Sequence, residues 1–330
     1  MSTELHKKLQ PMSVEEINVL TARARALPPS GDQTNVLVAD GEDPWVISHR
    51  DSFYYCTVDR HKRKILVSKF DSLKEMADAP LIEIWTGAPG GEAPEYVEIW
   101  SPELQFLDGK WYVYFALYNG NHGQERIYVI ESLSGDPQGR YAFKGKLAGS
   151  SEHWAIDGSV LEMPGGERYF IWSGWDESVN ASQNIYIAGM SNPWTLSTVR
   201  SCISRPEYDW EKRGYPYVNE GPQALARDGR VFIIYSASGS WTDDYCLGQL
   251  TYLGGNPLDA SSWRKESEPV FKKTGTIFAP GHCSFVRDRT GKDWIIYHAA
   301  RSSGAGWARQ VRAKPFGWKE NGAPDFGEPL

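Results

Sequence analysis

Long apolar runs are missing from this chain. No window approaches the roughly 18 uninterrupted apolar residues that a membrane-crossing helix needs, so no transmembrane helix is expected. Excess positive charge is missing too. Against 42 Asp and Glu stand 35 Lys and Arg, a formal net charge of −7, the wrong sign for a protein that neutralises phosphates and releases their counterions. The one basic run, His61-Lys-Arg-Lys64, reads as a solvated hairpin tip, and neither nucleic acid nor membrane is expected as a partner. Cysteine is scarce. Cys56, Cys202, Cys246 and Cys283 stand singly with no C-x-x-C spacing, which argues against metal knuckles and redox motifs. Reduced core thiols are expected, since a free cysteine behaves as a small hydrophobe. The first ten residues, ending Leu5-His-Lys-Lys-Leu-Gln10, have no apolar leader segment. A cytoplasmic location is the expectation, the alternative being a secreted protein whose leader lies outside this sequence.

Aromatic residues and turn formers are abundant. Apolar residues make up 41% and aromatics 13%, including 14 Trp, ample for a large core, and 32 Gly with 20 Pro supply turns between short strands. Five aromatic strands recur: Phe53-Tyr-Tyr-Cys-Thr57, Lys110-Trp-Tyr-Val-Tyr-Phe115, Arg168-Tyr-Phe-Ile-Trp172, Arg230-Val-Phe-Ile-Ile-Tyr235 and Asp293-Trp-Ile-Ile-Tyr297. From Tyr54 to Tyr112, Phe170, Phe232 and Ile295 the steps are 58, 58, 62 and 63 residues. A period of that size with no helical unit is what a radial array of four-stranded sheets requires. The fold class predicted is all-β, a five-bladed β-propeller over residues 35–330, which absorbs the length as one domain. Residues 1–34 stand apart as an N-terminal extension. There Ser13 with Glu16 three residues on, and apolar Val14, Ile17, Val19 and Leu20 ahead of Pro28-Pro29, predict an amphipathic helix packed on the outside of the first or last blade. No interdomain linker is visible, and a monomer is expected.

About a dozen residues before each of those strands lies a short polar segment: Asp43-Pro-Trp-Val-Ile47, Trp100-Ser-Pro-Glu-Leu104, Ile156-Asp-Gly-Ser-Val-Leu161, Asn219-Glu-Gly-Pro-Gln-Ala-Leu225 and Gly281-His-Cys-Ser-Phe285. In a propeller the innermost strand of each blade runs beside the central axis. Asp43, Glu103, Asp157, Glu220 and His282 hold nearly the same place in each unit, so several carboxylates converge on one funnel. Like charges crowded together and desolvated push their pKa values apart, keeping one carboxyl protonated while another stays ionised. Glycoside hydrolysis needs such a pair, one group protonating the leaving oxygen and one activating water. Taken singly, Asp43 before Pro and Asp157 before Gly read as turn residues. Glu220 is required by no turn. Glu103, two or three residues deeper, reads equally as a fold-stabilising residue.

Taken in order, Asp43-Pro-Trp45, Trp100-Ser-Pro-Glu-Leu104, Asp157-Gly, Asn219-Glu-Gly-Pro222 and Gly281-His282 resemble glycoside hydrolase family 43 over roughly residues 36–330. That family consists of five-bladed propellers that remove arabinofuranose or xylose with inversion. The resemblance implies a general base at Asp43, a pKa-setting and orienting carboxylate at Asp157 and a general acid at Glu220. The stretch Ile203 to Glu220, with Tyr235-Ser-Ala-Ser238 and Tyr245-Cys-Leu-Gly248, is most similar to the α-L-arabinofuranosidase branch acting on α-1,5-linked arabinan. It also implies that Arg309 or Arg312, with Arg309 preferred, hydrogen-bonds the bound sugar.

Trp100 and Trp175, like Trp241 and Trp307, lie in or next to loops, where a flat ring can stack on a sugar or simply belong to a blade core. Trp45, two residues after the expected base, is the candidate pocket floor. His282 has two readings, a plug on the axis or a ligand of a hydrated Ca²⁺, which the resemblance allows. Ca²⁺ prefers six to eight oxygens, so water would supply most of them, and no cofactor is expected in the chemistry itself. The expected partner is an arabinose-containing oligosaccharide or polysaccharide. Alternatives are a β-xylosidase or an arabinoxylan-acting arabinofuranosidase, and, in another class, a non-catalytic carbohydrate-binding propeller. That last would have no reason to keep three carboxylates in phase.

Overall fold

The computed structural model describes residues 12–29, 33–87, 91–149, 153–176 and 180–330. Five antiparallel sheets follow one another along the chain. In each, the innermost strand carries the polar segment and the aromatic run forms the second strand. The innermost strands are Trp45–His49, Glu98–Leu107, Ala155–Glu162, Asn219–Arg227 and Phe278–Arg287. The second strands are Ser52–Val58, Lys110–Tyr118, Arg168–Gly174, Arg230–Ala237 and Asp293–Ala300.

Side chains alternate across a strand, and the second strands, apolar on both faces, therefore feed two cores at once. Trp111, Val113 and Phe115 pack toward the first blade, whereas Tyr112 and Tyr114 pack toward the third. Val231, Ile233 and Tyr235 face the third blade, Phe232 and Ile234 the fifth. A further cluster, with Phe53, Phe70, Ile296 and Val311, joins the fifth blade to the first. Cys56, Cys246 and Cys283 are buried in these interfaces and all four cysteines are free.

Ring closure comes from the N-terminal side. Strand Val36–Val38 pairs with Arg309–Trp318, completing the fifth blade with a segment that immediately precedes the first. Closure covers the sheet faces that the first and last blades would otherwise present, leaving only short outer edges.

The extension forms helix α1, Val14–Arg25, with a full capping box between Ser13 and Glu16. It packs on the last blade, one of the two expected, but on a loop of that blade and not on its outer face. The buried stripe is Ile17, Thr21 and Ala24, spaced four and three residues apart, while Val14 and Val19 are exposed. This face seats on the loop after the second strand of blade five: Gly306 approaches Ile17 and Thr21, and Ala24 joins Ala305, Ala308 and Tyr245 in one cluster. The helix thus lies on loops at the mouth of the propeller. Small residues, not the larger apolar ones, allow that close approach. The basic hairpin tip is also less solvated than expected, because Lys62 is half-buried with its Nζ 2.5 Å from Glu42.

Candidate active site

Near the axis each blade carries a residue with a left-handed backbone at a corresponding place, and blade five has a second, Ala279. Asp43, Ser101, Asp157, Gly221 and His282 have φ of 47°, 46°, 54°, 54° and 43°. In blades two to five, pairing with the second strand slips at the same place, between Trp100/Glu103, Ile156/Ser159, Glu220/Gln223 and Gly281/Cys283. Such a bulge bends the strand and re-aims a side chain. For a non-glycine residue the conformation costs about 1–2 kcal/mol and persists only where the surroundings over-determine it.

This ring corrects the phase expected from sequence. Asp43, Asp157 and His282 lie on it, but Glu220 stands one residue before it and Glu103 two after. Blades four and two contribute Gly221 and Ser101 instead. A bulge shifts a strand out of step with its own alternation, so the polar residue of a segment need not be the one at the left-handed position.

Asp43 sits in a cage of donors. Ser101 Oγ donates to its Oδ2 at 2.9 Å, His282 Nδ1 lies 3.3 Å from its Oδ1, and Arg309 Nη1 donates to Oδ1 at 3.4 Å. His298 Nδ1 lies 3.1 Å from the Asp43 amide and 3.3 Å from Oδ1, so one tautomer accepts from the amide and the other donates to the carboxylate. Burial on its own would raise the proton affinity of Asp43. His282, His298 and Arg309 together outweigh it and hold the carboxyl well below the ordinary range.

Glu220 is displaced the other way. Burial first, then the negative charge of Asp157, push it up to about 8, against an opposing hydrogen bond from Tyr245 OH at 2.8 Å. Asp157 is fixed by the backbone N–H of Gly221, which donates to its Oδ2 at 3.0 Å. Burial raises it as well, with His282 opposing and Asp43 adding to the rise. Three carboxyl groups from blades one, three and four thus act on one another, one ionised and one protonated near neutral pH.

The remaining candidates divide. Arg309 is buried, its guanidinium spanning Asp43 and the Ser240 carbonyl, Nη2 to O 3.1 Å. Arg312 is a structural residue, bound to the Leu330 carbonyl and to Gln310. Trp100 stacks on Tyr118 at 5.2 Å and Trp175 on Trp154 at 4.7 Å, and these indoles pack with Ile156 next to Asp157. Trp45 is placed elsewhere: it packs between blades one and two, and its Nε1 donates to the Leu104 carbonyl at 2.6 Å. Glu103 is buried deeper, accepting from Gln223 Nε2 at 2.5 Å, and burial raises it well above the ordinary range. His282 turns Nδ1 to Asp43, and among the described residues no group of three or more His, Cys, Asp or Glu could hold a metal ion.

Sequence reasoning missed His298, Tyr245 and Ser101 as site residues. Ser101 had a signal: it stands four residues before Gln105, which pairs with Tyr112, as Asp43 stands four before Ile47, which pairs with Tyr54. His298 had none, because it reaches the axis from a second strand, opposite Gly281.

The family model for glycosyl hydrolases family 43 matches residues 33–324. An extracellular exo-α-(1→5)-L-arabinofuranosidase of Streptomyces avermitilis is 36% identical over 317 residues, covering 92% of this chain and 64% of that protein. The chain thus spans less than two thirds of that relative's length. A protein of the same name from Streptomyces chartreusis is 36% identical over 283 residues, covering 84% of this chain and 85% of its own. The crystal structure of an α-L-arabinofuranosidase from Lactobacillus brevis superposes with a TM-score of 0.82 at 32% identity, covering 90% of this chain and 98% of the other. Both Streptomyces names say extracellular, and no relative named here supports the cytoplasmic expectation.

Proposed function

This chain belongs to glycosyl hydrolases family 43, and from that premise we propose that it is an α-L-arabinofuranosidase. One observation carries the reading: Asp43 and Glu220, on opposite sides of the ordinary carboxyl range, share one funnel with Asp157. Ionised Asp43 takes a proton from water as that water attacks the anomeric carbon. Protonated Glu220 delivers its proton to the departing glycosidic oxygen. Asp157, anchored on Gly221 N–H, maintains the proton on Glu220 by its charge. Arg309 and His282 hold Asp43 ionised and aimed, and half-buried Trp100, backed by the buried Trp154 and Trp175, is the ring left to stack on a sugar. Water as the attacking group implies inversion, since one direct displacement at the anomeric carbon forms no glycosyl-enzyme intermediate.

The finer reading is exo action on α-1,5-linked arabinan or arabino-oligosaccharides. It is supported by the two Streptomyces relatives' names, which carry that linkage, whereas relatives from Humicola insolens and Pyricularia oryzae are named only as α-L-arabinofuranosidases. We place its action outside the cell, where a polymeric substrate is met. Release of p-nitrophenol from the α-L-arabinofuranoside and the β-D-xyloside, followed by arabinose release from linear arabinan and from arabinoxylan, tests these levels in turn. Turnover of the xyloside alone contradicts the arabinofuranosidase reading. Release from arabinoxylan but not arabinan overturns the linkage.

A further inference from the structure

Helix α1 lies ahead of the residues that the family model spans, yet its buried face is tied to the site by an unbroken series of contacts. Thr21 Oγ1 donates to the Ile17 carbonyl at 2.8 Å and accepts from the Trp307 backbone N–H at 2.9 Å. Between these residues Gly306, at φ +58°, brings its backbone so near that an added Cβ would lie 2.9 Å from Thr21 Oγ1 and 3.1 Å from the Ile17 carbonyl. Trp307 Nε1 in turn donates to Ser240 Oγ at 3.1 Å, and Arg309 Nη2 donates to the Ser240 carbonyl. The same two loops are laced a second time, by Ser303 Oγ and Gly304 N–H on the Asp243 carboxylate at 2.5 and 2.8 Å. The fourth-blade loop then leads into Tyr245, which bonds Glu220, and the fifth-blade loop into Arg309, which bonds Asp43.

We propose that helix α1 is a positioning element of the active site, with Thr21 as its anchoring residue: it holds the Arg301–Trp307 loop against Ser240 and so fixes where Arg309 and Tyr245 meet the acid and base. The inference rests on the arabinofuranosidase reading only for its kinetic arm. Thr21→Val keeps shape and removes the hydroxyl, leaving the half-buried Trp307 N–H without its acceptor. Thr21→Ser restores it. Trp307→Phe cuts the next link and serves as the second variant where Thr21→Val folds poorly.

Hydrogen exchange followed by mass spectrometry, which needs no activity, is the first readout. Both Thr21→Val and Trp307→Phe are expected to speed exchange in residues 301–309 and 239–245 and to leave strand Lys110–Tyr118 unchanged, with Thr21→Ser at wild-type rates. In the kinetic arm, KM for an arabino-oligosaccharide rises about three- to ten-fold for Thr21→Val, the factor expected for one neutral hydrogen bond, and Thr21→Ser restores it. Faster exchange confined to the helix, or an unchanged KM in a variant whose loops exchange faster, overturns the proposal. A wild-type protein that releases no arabinose defeats the arabinofuranosidase reading instead and leaves the exchange result to decide the positioning role.

Discussion

Glu220 and Asp43 are chemically similar groups that opposite surroundings have separated. Near neutral pH the productive form has Asp43 ionised and Glu220 protonated, which sets the sign of both pH limbs. Activity is expected to fall as pH rises through about 8, where Glu220 loses its proton, and to persist on the acid side below the ordinary carboxylate range, because Asp43 is held down. The pH profile of kcat/KM reads both groups in the free enzyme; a basic limb near pH ~5 contradicts the assignment of the acid. Glu220→Gln separates the roles further. It should cost about 10²- to 10⁴-fold on a natural oligosaccharide and far less on an aryl glycoside, whose leaving group hardly needs protonation. Equal losses on both count against Glu220. The same substitution reports on stability. A glutamate in the unfolded chain ionises near pH ~4.3 while the native one waits until about 8, so the native state loses ground as pH rises between those values. Glu220→Gln should therefore melt above wild type at pH ~9 and level with it at pH ~4, a comparison that calorimetry settles. At this scale the carboxylates were legible in the sequence because a polar residue recurs within a residue or two of the same place in each unit. Their donors Tyr245 and His298 were not, since each arrives from a different strand or loop and is defined only by folding.

Among elements, the bulge in the innermost strand is the unit that makes a site out of a repeat. Gly221 shows why. Its φ of +54° suits glycine, an added Cβ would lie 3.1 Å from His282 Nδ1, and its N–H holds Asp157. Gly221→Ala is expected to lose about 1–3 kcal/mol of stability through strain and overpacking and to lower kcat by tilting Glu220 and Asp157 together. Thermal melts and initial rates check both, and a variant with wild-type melting and rate contradicts the strained ring. The strands themselves could be read from their alternation of aromatic and β-branched residues, because their two-sided burial between blades demands it. The bulges could not, since one residue out of step leaves the pattern on either side intact. Helix α1 was legible from Ser13 and Glu16 at its start and from Ile17 on its buried face, but the rest of that face was not: Thr21 and Ala24 are buried there by closeness to Gly306 and Ala305.

For the whole molecule, closure converts five sheets into one cooperative body. Val38 belongs to the strand that shuts the ring and packs against the cluster joining blades five and one. Val38→Asp puts an unpaired carboxylate there and should lower stability by about 2–4 kcal/mol, with the loss appearing as one shift of a single melting transition. A new early transition with the main one unmoved would show a ring whose closure strand unfolds by itself. The period of roughly sixty residues made the closed ring foreseeable, whereas which strand closes it depends on contacts between the two ends of the chain. The central claim is that this ring brings an ionised base and a protonated acid to opposite sides of one arabinofuranosidic bond, with water between base and sugar. Proton NMR of the first sugar released from an α-L-arabinofuranoside tests it most directly: the account predicts β-L-arabinofuranose before mutarotation, and α-L-arabinofuranose as the initial product would contradict it.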